Sequence, residues 1–152
     1  MAELHLTVVT AERSLLDQGE IDYISAPGTL GRLGILPQHT PLLTTLDAGD
    51  LYYRCCDGEF HFAISGGFLQ VSEDQIIVLA DTAERAEEID EARAEEARQR
   101  AAEMLRRKDE LSQEELLRAE RSLRKAATRL KVVRYRRQRA VPPPGSRPPI
   151  EE

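Results

Sequence analysis

The chain contains no tryptophan, two cysteines, two methionines and three histidines, and aromatic residues make up only 5% of it. So thin an aromatic complement leaves no studded face on which nucleobases would stack, which argues against a single-stranded nucleic-acid binder. The two cysteines, Cys55 and Cys56, are neighbours. Adjacent strand residues point to opposite faces, so the pair cannot readily close a disulfide and both read as free thiols. No apolar run approaches the length needed to span a bilayer. The opening MAELHLTVVTAE lacks a basic stretch followed by an apolar one, which predicts neither a secretory signal nor a transit peptide, and hence a cytoplasmic protein.

Catalytic patterns are missing as well. There is no GxxxxGK[ST] loop, and the one double glycine, Gly66-Gly67, lies between strand-like segments rather than at the start of a helix, so it makes no phosphate cradle. His5, His39 and His61 have no partners at helical or hairpin metal spacing, and no serine occupies a nucleophile elbow. The sequence predicts no enzyme, no metal and no required cofactor.

What is present divides into three blocks by charge. Residues 1–82 hold twelve acids and three bases, net −9; residues 83–117 hold twelve acids and seven bases, net −5; residues 118–152 hold three acids and eleven bases, net +8. The basic end suits an acidic partner, either nucleic acid or an acidic protein surface. A nucleic-acid module is disfavoured by the strongly acidic first block and the absence of a recognised fold motif.

Strand signals fill the first block: LHLTVV, EIDYISA, DLYYRCC, EFHFAI, GFLQVS and QIIVLA, punctuated by Gly, Asp and Pro. Such short strands at close spacing mean a sandwich or barrel. Hairpin turns are expected at CDGE, residues 56–59, and at ISGGF, residues 64–68, because both carry glycine where a positive φ is needed. After Asp81 the period changes to about 3.6. Ile89, Ala94, Ala97, Ala101 and Leu105 form a narrow small-residue stripe with Asp90 placed as the N-cap. Ser112 followed by Glu115 is a capping-box pattern, and Leu116, Ala119, Leu123, Ala126, Leu130 and Val133 then mark a second helix. Two helices with a short link predict an antiparallel hairpin whose alanine-rich contact buries little area. The fold class is therefore α+β: a β domain at 1–82, a helical hairpin at 83–139, and a disordered proline-rich tail at 140–152.

The stretch IDEARAEEARQR, residues 89–100, is too polar to build a core alone, and i,i+4 pairs such as Glu96 with Arg100 would suffice to keep it soluble. Its context suggests more. LHLTVVTAE, GRLGILPQHTPLL at 31–43, FAISGGFLQV at 62–71, IIVLADTAERAEEIDEARA at 76–94 and the closing ATRLKV together resemble the ε subunits of F-type ATP synthases, nearly end to end. The resemblance implies an antiparallel β-sandwich of about ten strands and a two-helix hairpin. It also implies a non-catalytic central-stalk subunit, peripheral on the cytoplasmic face of a bacterial membrane without inserting into it. The sandwich would couple the γ subunit to the c-subunit ring of a proton- or sodium-translocating enzyme, and nucleic acid would play no part.

IDEARA fits every fixed position of the motif through which some bacterial members bind ATP as a regulatory ligand. Carried over, Glu84, Ile89, Asp90 and Ala94 would surround the adenine, Arg93 and Arg100 would serve the phosphates, and the second helix would add Lys125 and Arg129. Lys125 replaces the arginine that nucleotide-binding relatives carry, and lysine lacks the two-pronged fork. In GTLGRLGILPQH, residues 28–39, the loop implied to touch the c ring, Arg32 stands in place of glutamate and Gln38 in place of glycine, beside His39. The basic helix, through Arg118, Arg121 and Arg124, would reach acidic loops of the α and β catalytic-head subunits when the hairpin opens and so inhibit ATP hydrolysis.

Overall fold

The structure, a computed structural model, describes residues 3–138. Seven strands come first: β1 (Leu4–Val9), β2 (Ser14–Gly28), β3 (Gly31–Ile35), β4 (Leu42–Cys55), β5 (Gly58–Ser72), β6 (Gln75–Ala80) and β7 (Ala83–Arg85). Two helices follow, α1 (Glu91–Arg106) and α2 (Gln113–Gln138). The expected proline-rich tail lies outside the described residues.

Alternation decides how each strand sits. In β1, Leu4, Leu6 and Val8 point inward and are almost fully buried; in β6, Ile76, Val78 and Ala80 do the same, while Ile77 and Leu79 face out. The strands close on themselves in the order β1–β6–β5–β4–β2 and back to β1, with β3 paired to β2 and β7 paired to β5. Both sides of this ring share one core containing Leu6, Ile21, Ile24, Leu51, Leu69 and Ile76, all at 0% exposure. A ring leaves few open edges for another chain to extend.

The strand count is seven rather than about ten because β2, β4 and β5 run unbroken for 15, 14 and 15 residues and change partners along their length. β2, for instance, pairs β1 through its first half and β3 and β4 through its second. The ladder is also not wholly antiparallel, since β1 and β6 pair parallel from His5↔Gln75 to Val9↔Leu79. The segment 28–39 is less of a loop than its composition suggests, because β3 occupies its middle.

Gly66-Gly67 does not make a turn. Both lie within β5, at φ 103° and 137°, where the strand passes from pairing β7 to pairing β6. A Cβ on Gly67 would stand 2.1 Å from the Leu79 carbonyl oxygen, so the backbones meet more closely than any side chain allows. The turn in CDGE is present but shifted by one residue: Cys56 and Asp57 link the paired Cys55 and Gly58, with the positive φ on Gly58. Cys56 is thus an exposed turn residue and Cys55 a half-buried strand residue. An unforeseen turn joins β5 to β6 through Glu73 and Asp74, whose φ values of 51° and 64° match a primed two-residue hairpin despite the absence of glycine.

The helices form as their caps predict. The Asp90 carboxylate accepts the Arg93 backbone N–H at 3.2 Å, and the Ser112 hydroxyl accepts that of Glu115 at 3.2 Å. Ala94 and Ala101 of α1 and Ala119 and Ala126 of α2 are buried, whereas Ala97, Leu105, Leu116, Leu123 and Leu130 are only partly covered. A second, smaller core lies where α2 meets the sheet, made of Ala63, Ala86, Ile89, Val132 and Val133. The sheet itself continues past residue 82, because β7 pairs with Phe62, Ala63 and Ile64 and Ala83 belongs to the main core.

Candidate functional site

The outer face of the sandwich is unusually apolar. Phe68 and Leu79 are directly paired across β5 and β6, Gln70 pairs Ile77 on one side and Leu43 on the other, and Thr45 sits opposite Phe68. Leu43, Phe68 and Leu79 are each more than half exposed, which is a cost in water unless another surface covers them. At the tip between β2 and β3, Leu30 is wholly exposed, and Leu36 is 60% exposed just after β3. The sequence pattern alone did not mark this face, because Ile77 and Leu79 read as ordinary members of a hydrophobic run.

Arg32 does not project freely from that tip. Both terminal guanidinium nitrogens of Arg32 donate to the Asp50 carbonyl, at 2.8 and 2.5 Å, its Nη2 lies 3.7 Å from the Asp50 carboxylate, and its plane covers the Tyr52 ring at 5.4 Å. Gln38 has φ 66°, the left-handed region that glycine occupies at no steric cost, and its N–H donates to the Asp74 carboxylate at 2.6 Å. His39 Nδ1 lies 2.7 Å from the Thr40 carbonyl.

The residues expected around a nucleotide are brought together only in part. Asp90 is occupied as the cap of α1 and lies 3.9 Å from Arg93, which is largely exposed. Ile89 and Ala94 are buried, at 4% and 0% exposure, so they support the first turn of α1 from beneath. Arg100 donates weakly to the Glu96 carbonyl at 3.4 Å, and side-chain ion pairs on α1 form instead between Glu95 and Arg98 at 2.5 Å and between Glu103 and Arg106 at 3.5 Å. Arg100 also flanks a groove between the helices with Arg118 and Ser122. Arg129 donates to the Glu84 carboxylate at 2.6 Å, tying α2 to β7. Lys125 faces a different cleft, lined with Arg118, Arg121 and Arg124 on α2 and with Asp47, Gly66 and Asp81 on the sandwich.

Three further ties hold the junction. Arg13 pairs Glu88 at 2.8 Å, a hydrogen bond that keeps this carboxyl below its ordinary value, and Arg85 donates to the Leu15 carbonyl. The third is a cluster that sequence reasoning missed. His61 is 3% exposed, its Nδ1 lies 2.8 Å from Asp50 and its Nε2 2.8 Å from Glu59, and its ring stacks on Tyr135 of α2 at 4.4 Å and 9°. Burial pushes the Glu59 carboxyl up, but hydrogen bonds from Arg54 and His61 outweigh it and hold the group below the usual carboxylate range. His61 alternates with the core residues Phe60, Phe62 and Ile64 and so faces out of the sandwich, where α2 covers it; Glu59, two residues earlier, shares that face, and strand register adds Asp50 from β4.

Comparison with known proteins places this architecture. The family model described as "ATP synthase, Delta/Epsilon chain, beta-sandwich domain" matches residues 3–86, and that described as "ATP synthase, Delta/Epsilon chain, long alpha-helix domain" matches residues 87–134. The ATP synthase epsilon chain of Herpetosiphon aurantiacus is 51% identical over 136 residues, covering 90% of this chain and 98% of that protein. That of Dehalococcoides mccartyi is 48% identical, covering 91% and 97%. Among solved structures, a chain of the Euglena gracilis mitochondrial ATP synthase, in a complex of OSCP, F1 and c-ring, superposes with a TM-score of 0.73 at 22% identity, over 84% of this chain and 79% of that one. That likeness concerns the fold alone. Among the described residues no helix is long and apolar enough to cross a membrane. With a sandwich and a helical hairpin both matched, and with close relatives matched over nearly their whole length, the chain belongs to the ATP synthase delta/epsilon family, as a non-catalytic epsilon-type subunit.

Proposed function

We propose that the sandwich couples the γ subunit to the c ring, and that the hairpin is a movable brake on ATP hydrolysis with ATP as its regulatory ligand. The observation that carries the coupling role is the exposed apolar face of Leu43, Phe68, Ile77 and Leu79. A face of this kind on a small subunit is stabilised by a permanent protein neighbour, and γ is the neighbour that fits a stalk subunit. The β2–β3 tip bearing Leu30, with Arg32 beside it, and the segment after β3 that carries Leu36, Gln38 and His39 meet the c ring. Since Arg32 is engaged with Asp50 and Tyr52, contact there is chiefly apolar rather than ionic. This arrangement holds the subunit at the cytoplasmic face of the membrane as a peripheral component, with no segment inserted.

In the folded hairpin, Arg93 and Arg100 receive the phosphates of ATP, with Lys125 and Arg129 supplying charge from α2, while Asp90 and Glu84 border the base above Ile89 and Ala94. Arg129 must then leave or share Glu84. In the open state, Arg118, Arg121 and Arg124 meet acidic loops of the α and β subunits. ATP present at about a hundred times its dissociation constant favours the closed form by roughly 2.7 kcal/mol if the open form does not bind it.

The decisive experiment is reconstitution with γ. Replacing Phe68 by glutamate and Leu79 by lysine, opposite charges across the β5–β6 pair, should leave the far-ultraviolet circular dichroism and melting temperature of the isolated chain intact while abolishing copurification with γ. Undiminished copurification by the folded double variant would overturn the assignment of this face.

A further inference from the structure

We propose that the proline-rich segment of this chain, residues 139–152, docks in a cleft of the sandwich lined by Leu16, Tyr53, Asp57, Phe60 and Glu87. The proposal goes beyond the coupling and braking roles and depends on neither.

The cleft has a volume of about 730 Å³ and lies between the start of β2, the β4–β5 turn and the chain just after β7. Tyr53 is only 5% exposed, yet its hydroxyl, which opens on the cleft, has no hydrogen-bond partner among the described residues. Burial pushes that hydroxyl above the usual phenol range, so at neutral pH it keeps its proton and serves as a donor. A buried donor left without an acceptor is costly, and a ligand carrying one would remove the cost. The Tyr53 ring stacks on Phe60 with centroids 5.2 Å apart, and Phe60 and Leu16 are only partly covered. Four carboxylates belong to the lining. Asp17 bonds to His5 and Glu88 to Arg13, whereas Asp57 and Glu87 have no ion-pair partner among the described residues. Arg85, which also reaches the cleft, is engaged with the Leu15 carbonyl. The site therefore offers an apolar wall, one unused donor and two unpaired negative charges.

Residues 139–152 read RAVPPPGSRPPIEE and supply the complement of each. Proline rings are flat and apolar, and a proline-rich backbone is well supplied with carbonyl acceptors and short of N–H donors, which suits an aromatic wall beside a hydroxyl. Arg147 directly precedes Pro148 and Pro149, so one short stretch brings a cation and two such rings together. In the docked form Pro148 and Pro149 lie on Phe60 and Leu16, Arg147 meets Asp57 and Glu87, and the Tyr53 hydroxyl donates to a backbone carbonyl between them.

Proximity selects this occupant over a separate molecule. Near the end of α2, Tyr135 stacks on His61, itself part of the cleft lining, and Val132 and Val133 pack against Ala86, the residue before Glu87. From Gln138 to Arg147 the chain can span about 28 Å as polyproline, against roughly 5 Å for each strand it must cross. A tethered segment meets its site at a high effective concentration, so contacts too weak for a free peptide suffice. Docking would tie the end of α2 back to the sandwich.

The test is solution NMR of the full chain, alone and without nucleotide. Nuclear Overhauser effects should join the ring protons of Pro148 and Pro149 to those of Tyr53 and Phe60, and should persist on dilution. Arg147→Glu should lower the ratio of docked to free segment about threefold, read from the Gly58 and Glu88 amide shifts. Tyr53→Phe should lower it about fivefold, through loss of the hydroxyl alone. Glu87→Lys combined with Arg147→Glu should restore what Arg147→Glu removes, and neither of these two changes touches the core. Absence of the proline–aromatic contacts, their loss on dilution, which would assign them to the segment of a second copy, or failure of the double reversal to restore them would each overturn the proposal.

Discussion

At the scale of single residues, backbone conformation and buried charge decide most outcomes. Gln38 holds a left-handed φ of 66° that an L residue adopts at a cost. Its useful contact is the backbone N–H to Asp74, which glycine would retain. Gln38→Gly should therefore raise stability by about 0.5 to 1 kcal/mol in urea unfolding. Gly67→Ala should do the reverse by about 2 kcal/mol or more, because the new methyl would strike the Leu79 carbonyl as well as strain the backbone. The charge cluster around Glu59 makes stability depend on pH. Glu59 is depressed by Arg54 and His61, so its contribution is fully present above its unfolded value and is lost as pH falls through its folded one. Arg54→Ala should raise the Glu59 value and shift the onset of acid unfolding to higher pH, as read by circular dichroism. Part of this was legible beforehand: the glycine at 67 signals a positive φ, and the resemblance puts glycine where Gln38 stands. The Asp50 partner of His61 was not, because it is set by strand register.

Elements were more readable, because caps and periodicity are local. Asp90 and Ser112 cap the helices as their spacing predicts, and the strands near Leu4 and Gln75 follow alternation. Ser112→Ala should cost about 1 kcal/mol of α2 stability, visible as a lowered first melting step or raised exchange at Glu115. What escaped was continuity. β5 passes through Gly66-Gly67 without stopping, since its two halves serve different partners, and glycines that signal a turn in sequence here permit close contact between strands. β7 escaped because three residues carry no period.

At the scale of the whole molecule, the division into a self-sufficient ring and an attached hairpin yields a truncation series. Ala83 sits in the main core and Arg85 donates to Leu15, so a chain ending at Glu88 should fold with a single cooperative transition. A chain ending at Thr82 should be measurably less stable in the same assay. Replacing Arg118, Arg121 and Arg124 together by alanine should relieve inhibition of ATP hydrolysis in the reconstituted head while assembly with γ persists. Inhibition by the unaltered chain should weaken with added salt, as screened surface charges require. The two-part plan was visible in sequence through the change of period and the reversal of charge. The second core that seats α2 was not, because Val132 and Ile89 lie far apart in the chain and belong to different patterns.

The attachment of the hairpin by β7 has a mechanical meaning. Its ladder is three residues long, joins Ala83, Glu84 and Arg85 to Ile64, Ala63 and Phe62, and ends where the chain leaves for the helices. Force applied to the hairpin therefore loads these bonds from one end and breaks them in turn, as a zip opens. Tearing the ring would require rupturing several long strands at once, which demands far greater force. β7 thus acts as a fuse: under load the hairpin peels away and can be laid back, while the ring keeps its shape.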